Sequence, residues 1–148
     1  MLESLLAAVI LAMVVAAIAL PFAAGAESTL QEARQTLAVN LAQDLMEEIL
    51  AKPVSDPQGQ AAHEASRNLW DDMQDYVQLN EVTSIVSMDG AAVTDPSSTG
   101  LTRHAQVAPH RLPGQPAGEA TCFLLVTVYV SYNNQPIVTL SRLVYMNN

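Results

Sequence analysis

Three aspartates, Asp71, Asp72 and Asp75, fall within one short stretch, "NLWDDMQDYVQ". Clustered carboxylates are ligand chemistry for a hard cation. A calcium loop, however, spaces its oxygen ligands at alternate positions around an obligatory glycine, and that pattern is missing here. The predicted arrangement is a solvated acidic face on a short helix, with Trp70 and Tyr76 turned inward. The histidines, His63, His104 and His110, do not form the close pairs that zinc requires, either with one another or with Cys122. Cys122 is the single cysteine, so no intrachain disulfide forms. It opens the apolar run "CFLLVTVYV" without basic neighbours to favour a thiolate, and reads as a buried, inert thiol. The nucleophile elbow GxSxG, a glycine-rich phosphate loop and the zinc motif HExxH are all absent from the sequence. The expectation is a non-enzyme with no catalytic residue, no cofactor and no metal.

One ionisable residue remains that its surroundings do not explain. The chain opens "MLESLLAAVILAMVVAAIALPFAAG", in which Glu3 is the sole charged side chain before Glu27. From Leu5 to Ala26 nothing is strongly polar, and those 22 positions make a helix of roughly 33 Å, the thickness of a bilayer's hydrocarbon core. A carboxylate among lipid-facing side chains costs a few kcal/mol and more when isolated at depth. A cation from a neighbouring chain removes that cost. One charged pair in a bundle of Leu, Ala and Val also fixes its axial register, because apolar helices otherwise slide.

The charge of the whole chain narrows the partners. The 148 residues carry a net charge of −9, and residues 27–148 hold all six Lys and Arg and fourteen of the fifteen acids. Nucleic acid selects basic surfaces, so none is expected as a partner. No polybasic patch is offered to anionic lipid.

Four kinds of element surround Glu3. Residues 1–26 form the hydrophobic transmembrane or assembly helix. Residues 27–52 continue as an amphipathic helix, with Leu30, Ala33, Leu37, Leu41, Leu45 and Ile49 on one stripe and Ala38, Ala42, Met46 and Leu50 beside it. Its charges lie mostly off that stripe, and Pro53 ends it. Uninterrupted, the two helices would run about 75–80 Å. Pro21 removes one intrahelical hydrogen bond and is the expected bend. Residues 53–120 read as loops with short elements, among them a strand in "LTRHAQVAP". Residues 121–147 read as a β-hairpin, "TCFLLVTVYVSY" and "PIVTLSRLVYM" joined by "NNQ", with Val126, Val128 and Val130 on one face and Thr127, Tyr129 and Ser131 on the other. The predicted fold class is α+β: a long N-terminal helix packed on a small C-terminal antiparallel sheet, residues 27–148 forming one domain.

Three readings of the opening segment compete. A cleaved secretory signal would use Ala24 and Ala26 as its small-residue site and leave Glu27 as the mature terminus, but it requires a basic start. A plain single-span anchor, carrying an acidic binding module outside any filament, fits the length and treats Glu3 as a mild partner of the helix dipole. In the third reading, the run "LESLLAAVILAMVVAAI" resembles the N-terminus of type IV pilins and type II secretion pseudopilins, with Glu3 in the place of the family's acid and Pro21 near its helix-breaking proline. "LAQDLMEEILAKP" resembles minor pseudopilins and minor pilins of the I and V types, and "VTVYVSYNNQPIVTLSRLVY" resembles minor pseudopilins.

The resemblance implies that Glu3 pairs with the N-terminal amine of a neighbouring subunit. It implies other pilin or pseudopilin subunits, a prepilin peptidase and assembly machinery as partners. It further implies single-pass insertion in the inner (cytoplasmic) membrane, with the C-terminal domain outside the cytoplasm, before transfer to a periplasmic or extracellular filament. The family's peptidase cuts after a glycine and leaves the acid fifth in the mature chain, whereas Glu3 is third here. Codons upstream of Met1 are therefore expected to encode basic residues and a glycine.

Overall fold

The computed structural model describes residues 2–56, 67–116 and 121–146. His63, considered above as a ligand, lies outside the described residues. The architecture is α+β: one long N-terminal helix, α1 (Leu2–Leu50), and a four-stranded antiparallel sheet. The chain divides into two compact units, Met1–Arg34 and Gln35–Asn148. The first holds the apolar part of α1 and the start of its amphipathic part. The second contains the remainder of α1, packed on the sheet.

Within the second unit, the strands are β1 (Asn80–Glu81), β2 (Leu101–His110), β3 (Phe123–Tyr132) and β4 (Gln135–Tyr145), adjacent in chain order. The predicted hairpin is β3–β4, with Val128 opposite Leu140. Its two-residue connection is Asn133–Asn134, with φ of 48° and 65°. Two successive left-handed residues give the turn whose twist matches a right-handed strand pair, and asparagine is among the few side chains that accept that region. A bulge between Val130 and Ser131 shifts the register just before the turn. Gly100 leads into β2 with φ of 80°, and a Cβ there would lie 2.9 Å from the Tyr132 ring. Glycine is needed at that position both for its backbone angle and for the close approach of the aromatic ring.

Strand alternation sets the core. Leu101, Ala105 and Val107 of β2 and Leu124, Val126, Val128 and Val130 of β3 are buried on one face. Ala38, Leu41, Ala42, Leu45, Met46 and Ile49 of α1 belong to the same cluster. The predicted stripe is correct in phase but packs over a shorter length, since Leu30 and Ala33 are exposed. Trp70, Met73, Tyr76, Leu79 and Ile85 complete the cluster. Trp70 and Tyr76 meet edge to face with centroids 5.0 Å apart, and both are buried, as their sequence context predicts.

The "LTRHAQVAP" strand extends through ten residues and lies inside the sheet, between β1 and β3. Pro109 is tolerated within it because β1 pairs only with Arg103 and His104, which leaves the outer side of β2 at Pro109 without a ladder bond to lose.

Candidate functional site

Among the described residues, charge meets apolar surroundings at the start of α1 and on the inner face of β2. In the first unit α1 shows its side chains to the outside along its whole length: Leu5 is 68% exposed and Phe22 75%. Among the described residues, α1 is the helix long and apolar enough to cross a membrane. Glu3 lies in its first turn and is exposed. There the unpaired N–H groups favour negative charge by a few tenths of a kcal/mol to about 1 kcal/mol. Pro21 sits inside the helix and has no N–H to donate to the Ala17 carbonyl. One turn further, the Thr29 hydroxyl donates to the Gly25 carbonyl at 2.9 Å.

The second place was not anticipated from the sequence. Glu48 of α1, Arg67, Glu81 of β1 and Arg103 of β2 form an alternating chain of charges. Arg67 grips Glu48 with two donors, Nε to Oε1 at 3.1 Å and Nη2 to Oε2 at 2.5 Å. Its Nη1 donates to Glu81 Oε1 at 2.6 Å. The other Glu81 oxygen accepts from Arg103 Nε at 2.7 Å. Arg103, only 2% exposed, also donates to the Leu41 carbonyl of α1 at 3.0 Å and to the Val86 carbonyl at 2.7 Å. The Val86 carbonyl accepts a second bond from Arg67 at 2.9 Å. Two guanidinium groups thus join the helix, β1, β2 and the loop at Val86.

The Tyr76 hydroxyl donates to Glu48 Oε1 at 2.8 Å. Burial, and then that bond to a carboxylate, push its ionisation well above the usual phenol range. For Arg67, burial opposes the charge, but the paired Glu48 and the nearby Glu81 outweigh it and the net shift is upward. Two partial signals of this clasp are present in the sequence. Arg103 occupies an inward position of an otherwise apolar alternation, and Glu48 falls three residues after Leu45 on the buried face of α1. Arg67 and Glu81 come from irregular segments that carry no period.

The aspartate cluster has a different role from the predicted solvated face. Asp72 and Asp75 are buried. Asp72 Oδ1 accepts from the Gln74 and Asp75 amides at 2.6 and 3.0 Å, and Asp75 Oδ2 from the Asp71 and Asp72 amides at 3.1 and 3.3 Å. The carboxylates satisfy backbone donors in a tight turn that precedes a 3₁₀ helix at Asp75–Gln78. Asp95 does the same for the Ser97 amide at 2.8 Å, and the Ser97 hydroxyl and amide together hold its carboxyl below the usual range.

His104 stacks on Tyr129 at 4.4 Å across the outer face of the sheet. Cys122 is half-buried, short of the full burial predicted for it, and its carbonyl accepts from the Met146 amide at 2.7 Å. A groove of about 520 Å³ lies beside the clasp, with Asp44, Glu47 and Asp89 among apolar Leu41, Met88 and Val93. Ser87 also lines it, its hydroxyl donating to the Asp89 carboxylate. No protein-family model matches the chain, and neither a curated protein nor a solved structure gives a significant match.

Proposed function

We propose that this chain is a structural subunit, a minor pilin or pseudopilin, of a type IV pilus or a type II secretion pseudopilus. It assembles through its N-terminal helix. The observation that carries the reading is the exposed apolar half of α1 with Glu3 alone in its first turn. Such a surface needs lipid or other apolar helices around it; burying it gains roughly 25 cal/mol per Å² relative to water. The carboxylate needs a cation, which a neighbouring subunit's N-terminal amine supplies. The α+β architecture is compatible with a pilin-like subunit.

On this reading the protein enters the inner membrane as a single span, with residues 27–148 outside the cytoplasm. A prepilin peptidase processes it, and assembly machinery moves it into a hetero- or homopolymer. Pro21 lets the helix bend as subunits pack.

Replacement of Glu3 separates assembly from anchoring. Glu3→Ala should insert into membranes at the normal level and fail to enter filaments, measured by fractionation and by immunodetection on sheared fibres. Glu3→Gln, which keeps the shape but not the charge, should fail in the same way. Normal incorporation of both variants would contradict the proposal and favour a simple tether.

A further inference from the structure

The two edges of the sheet are treated differently. The β2 edge is covered over part of its length by β1, which pairs with Arg103 and His104, and by the bond from the Ala105 amide to the Leu79 carbonyl at 3.3 Å, and beyond them Pro109 removes a donor. At the other edge β4 runs for eleven residues, and no described element pairs with its outer side. An edge strand presents a row of backbone donors and acceptors that templates another strand unless it is short, kinked or charged. β4 is long, and its bulge with β3 lies at the turn end, which leaves Val138–Tyr145 in regular register.

The side chains of β4 narrow what fits. Its inner row, continuing the core face, is Val138, Leu140, Arg142 and Val144. The three aliphatic residues are half-buried, and Arg142 is exposed. Its outer row carries exposed Leu143 and Tyr145. Arg142 is the sole charged residue in 121–148, in a chain of net charge −9. Among the described residues it makes no ion pair. A second copy docking β4 to β4 would bring another Arg142 and no carboxylate.

We infer that the β4 edge is a strand-addition site for an extended segment of a different protein, one that places a carboxylate opposite Arg142 and aliphatic side chains opposite Leu140 and Val144. Main-chain hydrogen bonds supply the affinity, and the alternate side chains supply the selectivity. Arg142 both rejects other copies of this chain and selects an acidic partner strand. The site is independent of the N-terminal helix and of the assembly reading.

The test uses the full chain in neutral detergent and the peptide Thr-Val-Thr-Asp-Thr-Val-Thr, which presents the same row in either strand direction. Binding is read by fluorescence anisotropy with an uncharged dye. The Asp peptide should bind at least about tenfold more tightly than the same peptide with Lys at its centre. Arg142→Glu should reverse that order, and Arg142→Lys should keep it. N-methylation of alternate peptide amides should abolish binding in one of its two phases. Absence of binding, equal binding of the two peptides, or a preference unchanged by Arg142→Glu would overturn the inference. So would sedimentation showing a dimer that pairs β4 with β4.

Discussion

Arg103 is the most fully buried charged side chain in the clasp, and its guanidinium contacts three segments of backbone or carboxylate. Removing one partner of a buried pair strands the other, which costs about 3–5 kcal/mol. Arg103→Met is therefore expected to lower unfolding stability by that amount, whereas Arg142→Met on exposed β4 should change it by less than about 0.5 kcal/mol. Urea titration followed by fluorescence reads both, because Trp70 is the only tryptophan and sits 5.0 Å from Tyr76. Tyr76 supplies a pH signature. Its phenol holds its proton more tightly folded than unfolded, so it stabilises the fold below the unfolded value of about 10 and that contribution falls as pH rises above it. Absorbance of the phenolate should show one of the four tyrosines resisting ionisation until the chain unfolds. Tyr76→Phe should remove that late step. At this scale the clasp was not read from the sequence, where the charges of α1 were expected mostly off its buried stripe, yet two of its members left a signal. Arg103 interrupts an apolar alternation, and Glu48 shares a helical phase with Leu41 and Leu45. Their partners Arg67 and Glu81 are placed by tertiary packing alone, and three-dimensional pairing of that kind leaves no local pattern.

Among the elements, the hairpin was the most readable, because the period of two in "VTVYVSY" and the Asn-Asn turn agree on register. The aspartate turn was misread for a physical reason. A short run of Asp looks solvated by composition, but the carboxylates of Asp72 and Asp75 each accept from two backbone amides. Gly100 should tolerate no side chain: Gly100→Ala combines a left-handed φ with a contact of 2.9 Å to Tyr132 and should cost more than about 1 kcal/mol. Leu45, fully buried between helix and sheet, should lose about 2–5 kcal/mol on truncation to Ala. Thermal melts of the two variants, side by side with the parent, check both expectations.

For the whole molecule, composition made the division of labour visible. The N-terminal run is apolar on every side, and a helix of that kind must meet lipid or other helices. The residues from Gln35 onward form a cored unit in which the buried charges of Glu48 and Arg103 are paired in the clasp and those of Asp72 and Asp75 are bound by backbone amides. Glu3 is exposed and no Lys or Arg precedes Arg34, so the proposed partner of its carboxylate is a cation from another subunit. Crosslinking in native membranes tests that assignment most directly. With Cys122 changed to Ser, single cysteines at Leu6, Val9 and Met13 should crosslink to the N-terminal helix of another subunit, and Glu3→Ala should reduce the yield at least tenfold without changing membrane insertion. Crosslinks absent at all three positions, or a yield indifferent to Glu3, would contradict the account.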